Sequence, residues 1–286
     1  MSPTAPPPRV LLGTRSLHGL TFATRDRILD VTSRYRGPEA LAVTISRALD
    51  AGADGVLASP TPLLAAATEI LRRAVPVHAV IPALTEQERL ELEPGVEPLL
   101  RRRVPRAGTS AGVRMALARF TRPASIYGGD WAVRLPVLIE SEIATVRARD
   151  VKGVVLDAWL ADCALAAGNR RLFEMFVRLV RSRFRAVAGI ETHNLGLMLE
   201  RFREWDVTPD YIVAPVNAGG LGMKPSRGES LAALRGATIP VLAKELCAGG
   251  AAFEDGAAFA REHGARGIVA DVCELEDAGF ELKAVG

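Results

Sequence analysis

The chain has 286 residues, of which 49% are hydrophobic and only 5% aromatic, enough for a large core of small and branched side chains. The formal net charge is +3, with a pI near 9.0, and comes largely from one arginine-rich segment, which argues against a general nucleic-acid-binding surface. Cys163, Cys247 and Cys273 show no CxxC spacing, MSPTAPPPRV has no apolar h-region, and no stretch approaches the roughly 18 uninterrupted apolar residues of a span, so a soluble, cytoplasmic protein with reduced thiols and no membrane contact is expected.

A proline-rich tail over residues 1–8 is expected to be disordered. Short apolar runs bounded by turn residues then recur: RVLLGT (9–14), DGVLAS (54–59), PVHAVIPA (76–83), GVVLDA (153–158), AVAGIET (186–192), YIVAPV (211–216), PVLAKEL (240–246) and GIVADV (267–272). Between them lie segments of helical period, GPEALAVTISRALDAGA, LLAAATEILRRA, NRRLFEMFVRLVRSRF, LGLMLERFREWD and AAFEDGAAFAREHGA. Eight strands with right-handed helical crossovers predict an α/β protein, a (β/α)8 TIM barrel forming a single domain over 1–286.

VRLPVLIESEI (133–143) reads as a helix beginning near the cap Asp130, despite Pro136. As a strand it would raise the count to nine and favour a doubly wound open sheet, although no GxGxxG follows the first strand. The unusual length lies in an insertion after strand three, 85–129, expected to be helical and to emerge at the C-terminal face. Arg101, Arg102, Arg103, Arg106, Arg114, Arg119 and Arg122 there are either solvated helix faces or a lid that attracts a carboxylate or phosphate.

Barrel chemistry sits where strands end. The polar residues there are Thr14, Arg15 and His18 after strand one, Ser59 and Thr61 after strand two, Asp157 at strand four, Glu191, Thr192, His193 and Asn194 at strand five, Asn217 after strand six, Lys244 and Glu245 at strand seven, and Asp271 at strand eight. Gly189, Glu191 and His193 share one face of their strand, and a glycine below a carboxylate leaves room for an inward group, so Glu191 is the preferred acid/base residue. Lys244 and Glu245 are adjacent in an extended strand and must point to opposite faces; periodicity does not choose between them.

A lysine among apolar strands is a candidate Schiff-base nucleophile, with Asp157, Glu191 or Glu245 moving protons. The same residue also reads as half of a structural ion pair or as a charged substrate anchor. Gly249 and Gly250 form a tight turn before a helix, where backbone N–H groups suit a phosphate or carboxylate, although Asp271 would repel it. Asp157, Glu191 and His193 could meet a divalent ion across strands, but His18, His78, His193 and His263 show no metal-ligand spacing and no metal is assigned. NAGGLGMKPSRGES (217–230) reads as a mobile glycine-rich loop, with no P-loop order, and Cys247 has no activating neighbour in sequence.

The stretch from 186 to 250 resembles the second half of an aldo-keto-reductase barrel. GIETHN is similar to that family's Gly-Val-Ser-x-x-Asn strand end, IVAPVN to its next strand, and PVLAKELCAGG to a following Pro-Val-x-Ala strand with a glycine turn. The resemblance covers less than a quarter of the chain and implies an NADPH-dependent carbonyl reductase. The catalytic half departs from the family: VLASPTP stands where an Asp-Thr-Ala segment would lead to the tyrosine, HAVIPA ends without the lysine, and LDAWLAD lacks the histidine, so no tetrad carries over.

The residues therefore favour a lyase or class I aldolase-type enzyme acting on a small anionic carbonyl compound without a cofactor. Lys244 would be the amine, Glu191 and Asp157 the proton carriers, and Arg15, His18, His193, Asn194, Asn217, Glu245, Gly249 and Gly250 the substrate contacts. The alternatives are an oxidoreductase using NADPH and a non-catalytic barrel that binds a small acid.

Overall fold

The computed structural model describes residues 6–83, 131–146 and 150–275. Eight strands, β1 (Val10–Gly13), β2 (Gly55–Ala58), β3 (Val77–Ile81), β4 (Val151–Leu156), β5 (Val187–Glu191), β6 (Tyr211–Pro215), β7 (Val241–Lys244) and β8 (Gly267–Asp271), pair in parallel in sequence order, and β8 closes onto β1. The protein is a (β/α)8 barrel. Each strand lies within two residues of the boundaries read from the apolar runs.

Ten α-helices accompany the strands among the described residues: α1 (Arg25–Arg34), α2 (Pro38–Asp50), α3 (Pro62–Ile70), α4 (Trp131–Ile143), α5 (Ala158–Ala166), α6 (Arg170–Leu179), α7 (Leu195–Trp205), α8 (Arg227–Arg235), α9 (Phe253–Glu262) and the single turn α10 (Val272–Leu275). VRLPVLIESEI is helical, as α4, with Pro136 inside it, so it adds no ninth strand, and the sheet of the described residues is a closed barrel in place of the open alternative. The tail over 1–5, Asp130 and the arginine-bearing insertion over 85–129 lie outside the described residues.

One expectation is corrected. The stretch 217–230 is not loop throughout, because α8 begins at Arg227: Ser226 Oγ accepts from Glu229 N at 3.2 Å and donates to the Glu229 carboxylate at 2.5 Å. The first bond satisfies one of the otherwise unpaired N–H groups at the helix start, and the second holds the capping hydroxyl in place.

Strand alternation divides the apolar residues into two cores. Val10, Leu12, Val56, Ala58, Leu156, Ile190, Ala214, Val241 and Ala243 face the helices, while Leu11, Leu57, Val80, Val155, Val187, Tyr211, Val213, Leu242 and Val269 fill the lumen. Leu242 inside and Ala243 outside fix the phase of β7, so Lys244 continues the lumen series.

Within the lumen His78 Nδ1 lies 2.7 Å from the Tyr211 hydroxyl, with both rings buried. Two glycines make room for them. A Cβ on Gly153 would collide with the His78 ring, and one on Gly189 would stand 2.6 Å from Tyr211 Cζ. The space at Gly189 is thus taken by the tyrosine of the neighbouring strand, not left for Glu191. Gly189→Ala overpacks this layer and is expected to cost about 1–3 kcal/mol in urea unfolding. Trimming the ring in Gly189→Ala/Tyr211→Leu should recover part of that loss.

Candidate active site

The C-terminal ends of β1, β4, β5 and β7 bring four charged side chains together. After β1 the chain turns through a 3-10 segment, Arg15–His18, which carries the Arg15 guanidinium over the mouth of the barrel. Arg15 Nη1 donates to Asp157 Oδ2 at 2.9 Å and to Glu191 Oε2 at 2.5 Å, and Lys244 Nζ donates to Glu191 Oε1 at 2.6 Å. All four are buried, Glu191 completely and Lys244 to 5% exposure. Two cations and two carboxylates cancel, which is the condition for keeping such charges out of water.

The electrostatics follow from this arrangement. Burial alone would raise the Glu191 carboxyl, but Arg15 and then Lys244 outweigh it and hold the group at about 2. Burial opposes the charge on Arg15 as well, yet Glu191 and Asp157 push its value above the ordinary arginine range. Asp157 does two jobs, since Oδ1 accepts from Trp159 N at 2.9 Å and caps α5 while Oδ2 receives Arg15.

Glu245 departs from the simple alternation. Its φ of +57° is left-handed, which costs a residue with a side chain roughly 1 kcal/mol and ends the strand at Lys244. The carboxylate is consequently not on the helix side of the sheet. It lies on the C-terminal face, accepting from Thr21 Oγ1 and Phe22 N, each at 3.2 Å. Burial raises its value, with the nearby Lys244 charge and the Phe22 N–H partly offsetting the rise. The choice between lysine inside and glutamate inside therefore has a third answer: Lys244 enters the lumen and Glu245 closes its rim.

The other expected contacts are disposed differently. His18 is half-buried near the cluster, with its value lowered by burial and by the Arg15 charge and partly restored by Asp271. His193 turns onto α5, where Nδ1 lies 3.0 Å from Asp162 Oδ2; Asp162 also accepts from His193 N and Thr192 Oγ1. Asp157 and Glu191 face Arg15 while His193 faces Asp162, so these three do not converge on one point, and no group of metal-ligand type is found among the described residues. Asn194 Oδ1 caps α7 through Leu197 N, and Asn217 is tied to its own loop by two 2.9 Å bonds to the Leu221 backbone.

Gly249 and Gly250, with φ of +90° and +88°, line a cavity of about 320 Å³ together with Glu245, Glu274, Thr21 and Arg27. Glu274 is raised to about 8 by burial, while backbone N–H groups of Cys247 and Asp271 pull the other way. The lining thus mixes two carboxyl groups with the Arg27 guanidinium and does not by itself favour an anion at the glycine turn.

Asp162 carries no signal in the sequence; it sits mid-helix in AWLADCALA, where an acidic residue reads as an ordinary solvent-facing position. The His78–Tyr211 pair also gives no sequence signal, because it joins β3 to β6 across the lumen.

The buried histidine makes a pH prediction. Burial lowers His78 from 6.5 to about 4, so the unfolded chain binds its proton first, and the stability this group supports is present above pH 6.5 and lost as pH falls toward 4. Urea unfolding across that window should show a decline of about 3 kcal/mol attributable to this group, and in His78→Gln the slope over the same window should flatten. Glu191 acts below that range: its depressed value removes stability as pH drops from 4.5 toward about 2.

No helix among the described residues is long and apolar enough to cross a membrane. Comparisons with protein-family models, curated proteins and solved structures find no match to this chain.

Proposed function

We propose that this barrel is a lyase of the class I aldolase type, acting on a small anionic carbonyl compound through a Schiff base on Lys244. The observation that carries the proposal is the setting of that amine: Lys244 is buried at the C-terminal end of β7 with a carboxylate oxygen 2.6 Å away. Schiff-base formation requires an ammonium to give up its proton to a group in contact, and Glu191 is such a group. Arg15, bridging Glu191 and Asp157, is a cation suited to holding the substrate's anionic end, while Asp157 keeps it in place. Carbon–carbon cleavage next to an iminium then needs a base and an acid at the mouth, which Glu191 and Asp157 supply as proton carriers.

The second reading, a non-catalytic barrel for a small acid, draws on the fact that all four charges are already paired at rest. One experiment separates the two. The full chain is incubated with a panel of oxo acids and sugar phosphates, borohydride is added, and intact mass is measured. The Schiff-base reading expects a covalent increment that is lost in Lys244→Ala. Saturable binding of an oxo acid with no increment supports the binding barrel and contradicts the lyase.

A further inference from the structure

We propose that the substrate is a monoanionic 2-oxo acid, whose carboxylate replaces Glu191 on Arg15 and thereby frees Glu191 to take the Lys244 proton. This rests on the Schiff-base reading and adds to it a substrate class and a trigger. The geometry begins with one shared carboxylate. Arg15 Nη1 and Lys244 Nζ approach its two different oxygens, at 2.5 and 2.6 Å. Carboxylate oxygens stand about 2.2 Å apart, so the two cationic nitrogens are separated by no more than about 7 Å.

A molecule that places an anion on one nitrogen and an electrophilic carbon on the other must fit that interval. In a 2-oxo acid the carbonyl carbon is bonded directly to the carboxylate carbon, about 2.4 Å from its oxygens, which suits the span with no torsion to be frozen between reacting groups except that single bond. Each methylene inserted between them lengthens the molecule by about 1.3 Å and adds a rotor whose freedom must be lost.

Charge counting narrows the anion. Arg15 and Lys244 are balanced by Asp157 and Glu191, so a bound phosphate dianion would leave two uncompensated negative charges in a buried cluster and a monocarboxylate only one. A monocarboxylate adds one negative charge and offers Arg15 the same planar acceptor that Glu191 presented.

The exchange also explains how a paired ammonium becomes a nucleophile. With Arg15 drawn to the substrate, Glu191 loses one of its two cations and gains proton affinity, while Lys244 remains in contact with it. The proton passes from Nζ to Oε1, and the neutral amine adds to C2 as its π electrons move to oxygen. The resulting N–H proton and the proton held by Glu191 leave with that oxygen as water. The C–N bond becomes an iminium, and no net proton is taken up: ammonium and ketone give iminium and water.

The test is borohydride trapping of the full chain with four carbonyl probes: glyoxylate, succinic semialdehyde, glycolaldehyde phosphate and acetaldehyde. Each adduct rate at Lys244 is divided by the rate with Nα-acetyl-lysine to remove intrinsic reactivity. Glyoxylate is expected to exceed each of the others by about tenfold or more, and Arg15→Gln to erase that advantage while sparing acetaldehyde. Should Arg15→Gln fail to fold, the ranking on the wild-type chain decides alone. Adducts at Lys244 with no preference for glyoxylate overturn the 2-oxo acid inference and leave the Schiff base standing. No adduct at Lys244 with any probe overturns both.

Discussion

Glu191→Gln is expected to lower the unfolding free energy by about 3–5 kcal/mol, the cost of breaking a buried ion pair by removing one partner. The substitution preserves shape and removes charge, so cavity formation contributes little. It leaves Arg15 and Lys244 buried with Asp157 as the remaining carboxylate of the cluster, 2.9 Å from Arg15. Lys244 has no second carboxylate within ion-pair distance among the described residues. Urea unfolding with an unchanged slope should report the whole difference, and a loss below about 1 kcal/mol would mean that solvent reaches the cluster.

Lys244→Met is the second large effect, and it acts on chemistry more than on stability. Glu191 keeps its contact with Arg15 in this variant, so no carboxylate is stranded, and methionine fills most of the space of the lysine stem. Its stability cost should therefore be smaller than that of Glu191→Gln, about 1–2 kcal/mol. Borohydride-trapped adduct should fall by about a hundredfold or more, because no other amine stands in the lumen among the described residues. A fall in stability equal to that of Glu191→Gln, with adduct retained, would make Lys244 a structural cation only.

The contrast between these two variants depends on a geometry that was only partly legible in the chain. Apolar runs of four to six residues separated by helical segments are a direct consequence of strands buried on both faces, and they yielded eight strands and their order. They also placed Glu191 and Lys244 at strand ends. The phase of β7 was not legible, since Val241, Leu242 and Ala243 are all apolar and both faces of a barrel strand are buried. It became readable only when Leu242 was seen packed with Leu11, Val213 and Val269.

Glu245 illustrates a different limit. The opposition of neighbouring side chains holds while the backbone stays extended, and a residue with φ of +57° no longer obeys it. Nothing in PVLAKELCAGG marks a glutamate for the left-handed region, where glycine or asparagine is the usual occupant. Arg15 was grouped with the site because it follows β1, but its bridging of Asp157 and Glu191 depends on a turn, Arg15–His18, without a periodic pattern. Asn194 and Asn217 show the converse: strand-end position drew attention to polar groups that the structure commits to capping α7 and tying down a loop. By contrast, the start of α8 was available in the S-x-x-E spacing at Ser226 and was obscured by the surrounding glycines.

The chain has four lysines, Lys152, Lys224, Lys244 and Lys283, so the location of a trapped carbonyl can be read by peptide mapping without ambiguity. Lys152 and Lys224 are exposed, whereas Lys244 is buried among carboxylates. On accessibility alone the exposed amines should react first. A Schiff-base lysine at the end of β7 reverses that order: brief treatment with glyoxylate and borohydride near neutral pH should place the adduct on Lys244 ahead of Lys152 and Lys224. Adduct on the exposed lysines with Lys244 unmodified would contradict it.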